Sequence, residues 1–340
     1  MNKQEIKRYN QYDLLRVIAT IAVILIHVNY RYFAPRAYAP LWDKYYVIES
    51  IFNMVSRFSV PVFVMLSGAF LLHKTENGNV KQFYRKSIIK IWLPTLGVIA
   101  LFTVIDVLRN MGSAWSFRTY LHSIIIGNYY NLWFMYMLAG LYVLTPFVVR
   151  MKNAISPKMY RNLTAVLLVW AVVSQAESTY QVPYALGVVA AYLGYFMAGN
   201  WIFENTKKKP GAMVYFLIAA LMFVVTFVVR YKGFSRYLFD AYTNFFSPTI
   251  MVASLCIFAG VSRIEIKRDF SKISSYMFYV YLFHTIVMGE MFSVTKYFTM
   301  NEVFDTVMIT LLTFAGALVC AVIYDGVWGM IRRKCITRKQ

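Results

Sequence analysis

A guanidinium, Arg16, and an imidazole, His27, share the first apolar run long enough to enter a membrane, residues 14–30. Both groups are costly to place in hydrocarbon and persist only where they face protein or water, which makes them candidate site residues. On one helix they stand about 16 Å apart along the axis. One therefore lies near one membrane surface and the other toward the far side. Asp13 precedes Arg16 by three residues and shares its helix face. His27 has two readings: a hydrogen-bond partner between helices, or a general base, since its ordinary pKa lies near neutrality. Arg16 either snorkels to the headgroups or holds an anion.

A second polar set follows at helical spacing. Glu49, Asn53 and Arg57 recur every four residues and form one stripe, either an internal Glu–Arg pair holding helices together or the border of a site. Pro61 removes a backbone donor and predicts a kink. Ser67 and Gly68 permit close helix approach or a second break. Backbone groups freed at membrane depth survive only against protein or a wet cavity, so this span is expected to border a site. The next loop carries Arg85, Lys86 and Lys90 just before Pro94. This cluster is either ordinary loop charge touching anionic lipid or a clamp for phosphates. Tyr281 and His284 bring another hydroxyl and a second imidazole to mid-membrane, in a structural or substrate-positioning role.

These side chains need helices to hold them. Of the 340 residues, 59% are hydrophobic, more than soluble domains carry. Ten apolar spans are expected, at 14–30, 46–72, 88–108, 131–149, 163–176, 183–202, 212–229, 244–262, 274–292 and 306–330, with an interfacial helix over 115–130. The fold class is therefore all-α and polytopic, in one membrane domain over 1–340. Ten-residue alternating strands of the barrel type are absent. The net charge of +20 would suggest nucleic acid on a soluble protein. Here Lys and Arg concentrate on alternate loops, with Lys74 to Lys90, Arg150 to Arg161 and Arg263 to Lys272 on one side. That bias places both termini in the cytoplasm. Cys256, Cys320 and Cys335 have no disulfide or metal spacing, and no metal is expected.

Four places resemble a known family. Asp13-x-x-Arg16 with His27 is similar to an Arg-x10-His first-span motif. Pro61 to Gly68 is similar to a PxFFxxSG motif. Leu132-Trp133-Phe134 with Gly140-Leu141-Tyr142 is similar to a WF…GLY span. Tyr281-Leu282-Phe283-His284 is similar to a YLxH motif. In this order and placement, over residues 13–284, the chain resembles the membrane acyltransferase-3 family, bacterial inner-membrane proteins of about ten spans that modify surface glycans. One departure is the family's Arg-x-x-Arg after the SG motif. Ser87 and Lys90 stand there, with Arg85 and Lys86 just before.

The resemblance implies a membrane-bound O-acyltransferase of the bacterial cytoplasmic membrane. It would move an acyl group, usually acetyl, from cytoplasmic acetyl-CoA to a hydroxyl of a cell-surface or lipid-linked glycan. His27 would be the general base, with Glu49 orienting it. Arg16, Arg85, Lys86 and Lys90 would bind acyl-CoA. Asn53, Arg57, Ser67, Tyr281 and His284 would form the polar core or steady the oxyanion. Expected partners are the lipid bilayer, acyl-CoA and the glycan acceptor, not nucleic acid; a homo-oligomer is compatible with this. The competing reading is a transporter or flippase of a polysaccharide or small polar solute, which broken helices and buried charges suit equally well. A third is a non-enzymatic assembly subunit.

Overall fold

The computed structural model describes residues 9–33, 43–109, 133–176, 184–206, 211–231, 244–295 and 300–337, with positions 122, 124 and 130. All regular structure among them is helical. The helices are α1 (Asn10–Phe33), α2 (Lys44–Ser56), α3 (Ser59–Leu72), α4 (Val80–Ser87), α5 (Leu93–Arg109), α6 (Trp133–Ala154), α7 (Pro157–Ala176), α8 (Tyr184–Asn205), α9 (Ala212–Tyr231), α10 (Pro248–Val261), α11 (Ser271–Thr295) and α12 (Glu302–Thr337). A 3₁₀ turn, Thr75–Gly78, precedes α4, and a π turn, Ile88–Trp92, joins α4 to α5.

Among the described residues, seven helical stretches are long and apolar enough to cross a membrane: α1, α2 with α3, α4 through α5, α6, α9, α11 and α12. The chain is an all-α polytopic membrane protein. Helices α7, α8 and α10 occupy the other three expected spans; α10, with 14 residues, is shorter than the roughly 20 that a crossing needs. Leu217, Leu221, Val224 and Val228 are exposed down one face of α9. Such a stripe would be a liability in water and is at home in lipid. The interfacial helix expected over 115–130 falls largely outside the described residues, as do Leu132 and Lys207, Lys208 and Lys209.

The second span breaks earlier than Pro61 predicts. The chain turns at Arg57 and Phe58, and α3 starts at Ser59. Pro61 thus falls in the first turn of α3, where a missing N–H costs nothing. The turn separates the polar stripe on α2 from the almost wholly apolar α3.

Gly68 explains how α3 packs. A Cβ there would run into the Phe196 carbonyl on α8, and a Cβ on Gly199 would run into the Met65 carbonyl on α3. Two glycines thus let the backbones touch, as small residues do in membrane helix pairs. Gly68→Ala must push α3 from α8 and is expected to cost about 3 kcal/mol, read as a lowered Tm in detergent. A wild-type Tm would contradict the contact.

Several basic side chains act as ties at one end of the bundle. Lys152 Nζ donates to the Leu72 carbonyl at the end of α3, 3.1 Å away, and also pairs with Glu204. Arg150 Nε donates to the Gly78 carbonyl at 2.9 Å. His73 Nδ1 lies 3.0 Å from Glu204 Oε1. Burial opposes the Glu204 charge, but hydrogen bonds from Lys152 and His73 prevail and hold its pKa below the usual value.

Candidate active site

Helices α1 and α11 run side by side in the same direction. Arg16 meets Ser274 at one end of the pair, and His27 meets His284 further along. A cavity of about 700 Å³ opens beside them and is walled by both Arg16 and His27. Because these residues are separated by three turns of one helix, the cavity extends over roughly 16 Å. Its size is that of a small-molecule site.

At the Arg16 end the groups are fixed by one another. Arg16 Nη1 donates to Asp13 Oδ1 at 2.9 Å and to Ser274 Oγ at 2.5 Å, and Ser274 Oγ donates to Asp13 Oδ1 at 2.6 Å. The guanidinium also lies 5.8 Å from the centre of the Phe70 ring, a cation–π contact. Lys90 joins this end. Its aim follows from Pro94, which cannot donate to the Lys90 carbonyl four residues back. The ladder widens instead into the π turn, closed by Leu93 N–H to the Ile88 carbonyl. Lys90 is exposed while lining the cavity, so it stands at the mouth. Arg85 and Lys86 do not line it. Both are exposed, and Lys86 reaches Glu76 at 3.8 Å.

Ser67, Phe134, Tyr142 and Tyr281 also line the cavity. Ser67 Oγ donates to the Phe63 carbonyl of its own helix at 3.0 Å. At the far end stand His27, Arg57, Trp133 and Phe245. The indole and phenyl rings stack 6.1 Å apart, and the Arg57 guanidinium sits 5.1 Å from the Phe245 ring centre. Arg57 Nε donates to Asn53 Oδ1 at 2.7 Å, and Asn53 Nδ2 donates to Glu49 Oε1 at 2.9 Å. The polar stripe thus holds Arg57 at the wall, while Asn53 and Glu49 stand behind it.

Glu49 meets partners other than the expected imidazole. Its Oε1 accepts from Asn53 and, at 3.4 Å, from Asn29, while Oε2 pairs with Arg230. Arg230, one residue past the expected span 212–229, is buried in the last turn of α9, and a buried cation draws the nearest carboxylate. Glu49→Ala is therefore expected to cost about 3–5 kcal/mol, seen as a lower Tm, with the KM for a donor bound near Arg16 unchanged. A wild-type Tm would contradict the pairing.

The two histidines lie together. The His27 and His284 ring centres are 5.1 Å apart at 41°. His284 is 1% exposed, and its Nδ1 hydrogen-bonds the Tyr281 carbonyl. Phe245, Arg230 and Asp325 join this region beyond the residues that the sequence marks. Asp325 lines the cavity from α12, and a carboxylate inside the apolar run 306–330 was a sequence signal for it.

Assembled, the wall offers two cations at one end, an imidazole and a guanidinium at the other, and apolar and aromatic surface between. Against known families, a model described as an acyltransferase domain, Acyl_transf_3, matches residues 9–325. The chain belongs to this acyltransferase family. All the wall residues named above fall within that match. The chain is also 23% identical over 269 residues to a Bacillus subtilis (strain 168) protein named "Putative membrane-bound acyltransferase YfiQ". That alignment covers 77% of this chain and 66% of the relative, so it spans just under two-thirds of that protein. No solved structure matches.

Proposed function

We propose that this protein transfers an acyl group, in the simplest case acetyl, from cytoplasmic acyl-CoA to a hydroxyl of a cell-surface or lipid-linked glycan, at a bacterial cytoplasmic membrane with both termini inside. The observation that carries this reading is that one cavity touches both Arg16 and His27. A phosphate-bearing donor has cations to meet at one end, and its long arm has about 16 Å of mostly apolar passage toward an imidazole at the other. Family membership supports acyl transfer over transport.

In this reading Lys90 and Arg16 bind the donor's phosphates as charge-assisted hydrogen-bond donors. The acceptor hydroxyl enters from the opposite side. His27 takes the hydroxyl proton as the oxygen attacks the thioester carbonyl. Arg57, aligned by Asn53, steadies the oxyanion. When the tetrahedral centre collapses, the carbon–sulfur bond breaks and the thiolate leaves. His27 returns its proton to the sulfur, giving the free thiol and the ester. Phe134, Tyr142 and Tyr281 exclude water from the thioester along the passage.

The cavity divides the basic cluster. Lys90→Gln is expected to raise the KM for acetyl-CoA about tenfold, the worth of a charged hydrogen bond. Arg85→Gln with Lys86→Gln, outside the wall, should change it less than about threefold. Initial rates in purified protein check both, and the reverse order would contradict the clamp. The broader test is mass spectrometry of surface glycans with and without the protein. The expected result is an ester that depends on the protein, and glycans identical in both cases would refute the reading.

A further inference from the structure

His284 stands beside the cavity, yet the transfer step above gives it no part. Its Nδ1 contacts the Tyr281 carbonyl. A carbonyl only accepts, so Nδ1 carries the ring proton and Nε2 carries a lone pair. That Nε2 is buried and has no hydrogen-bond partner in the structure. Buried acceptors without a donor are rare and destabilising, and each calls for an account. Two rings adjoin it: the imidazole of His27, 5.1 Å away between centres, and the Tyr281 ring at 5.3 Å, of which the imidazole alone can bring a ring N–H. At that separation a modest ring rotation makes an N–H···N bond of about 3 Å. Hydrogen bonds of working sites are often slack before the substrate is bound and tighten afterwards.

We propose that His284 is a positioning residue whose Nε2 accepts the ring N–H of His27, leaving the other His27 nitrogen unprotonated toward the cavity. His27 is on the cavity wall and His284 is not, so His284 acts through His27 rather than on the substrate. The pair divides the work as follows. The Tyr281 carbonyl fixes the tautomer of His284, and His284 fixes that of His27. When His27 takes the hydroxyl proton it becomes a cation with two N–H groups. One of these then points at a neutral lone pair, so the charge is met without a second charge in the membrane. Carboxylates fill this place in the familiar triads. Here Glu49, the carboxylate expected in that place, is engaged by Arg230 and Asn53. The inference rests on the reading of His27 as the base.

Two substitutions separate this role from a structural one. His284→Gln places an amide oxygen near the position of Nε2 and keeps an acceptor for His27. His284→Asn places its amide near Nδ1, keeps a donor for the Tyr281 carbonyl, and offers His27 nothing. The expected order of kcat is wild type, then Gln within about tenfold, then Asn about a hundredfold down, all with the wild-type KM for acetyl-CoA. Asn equal to or faster than Gln, or both equal to wild type, would overturn the proposal. A measurement on the intact site covers the case in which the variants do not fold. In full-length protein in lipid nanodiscs labelled with ¹⁵N-histidine, the His284 Nε2 signal should be that of a hydrogen-bonded acceptor. It should move to the free position in His27→Ala. A signal that does not move overturns the pairing whatever the kinetics. Undiminished transfer in folded His27→Ala would instead overturn the reading of His27 as base and leave the nitrogen signal to decide the pairing.

Discussion

Folded His27→Ala is expected to transfer acyl groups about a hundred- to ten-thousandfold more slowly than wild type, the range that a positioned base contributes. The KM for acetyl-CoA should not change. The cations that would hold the donor's phosphates stand about 16 Å away along the same helix, and His27 has no hydrogen bond to any of them. The two quantities separate a base from a packing residue. Loss of packing at this depth would lower Tm and disturb Arg16 and Lys90 together. The readouts are initial rates at saturating donor and Tm in the same detergent. A variant of wild-type Tm that keeps its kcat would remove His27 from the chemistry.

Arg16→Ala should fail at the other end of the cavity. Truncating a buried, hydrogen-bonded charge partner in a complex costs about 2–5 kcal/mol, so affinity for coenzyme A should fall about thirtyfold or more. Asp13 keeps its hydrogen bond from Ser274 Oγ at 2.6 Å, so the cluster need not collapse with the guanidinium. Arg16→Lys retains the charge but not the planar fork and should fall between the two. A thermal shift on adding coenzyme A measures all three proteins. Equal shifts in wild type and Arg16→Ala would exclude Arg16 from the donor site.

The outline of this site was legible because the membrane makes polar residues conspicuous. Arg16, His27, Arg57, Ser67 and Tyr281 were expected from their place in apolar runs, and one cavity touches all five. What stayed hidden depends on geometry between distant segments. Glu49 and Arg230 are separated by 181 positions, and no helical period links them. Arg230 falls just past the expected span 212–229, so nothing in the sequence sets it against Glu49. The basic cluster was visible, but not its division. Arg85 and Lys86 sit on α4, whereas the π turn before Pro94 carries Lys90 to the mouth. Pro61 predicts a kink at its own position, but the second span breaks at Arg57 and Phe58 and leaves Pro61 in a first helical turn, where a proline disturbs nothing. Ser67-Gly68 was read as permitting close approach, and α8 makes that approach at Gly68.

The most direct test of the account follows label across the bilayer. Sealed inverted vesicles expose the cytoplasmic face, so acetyl-CoA labelled in its acetyl group can be supplied on that side alone. The account predicts labelled ester on glycan hydroxyls on the opposite side in vesicles carrying wild type, and none above background with folded His27→Ala. Equal ester in both, or labelled ester confined to the side of addition, would contradict it.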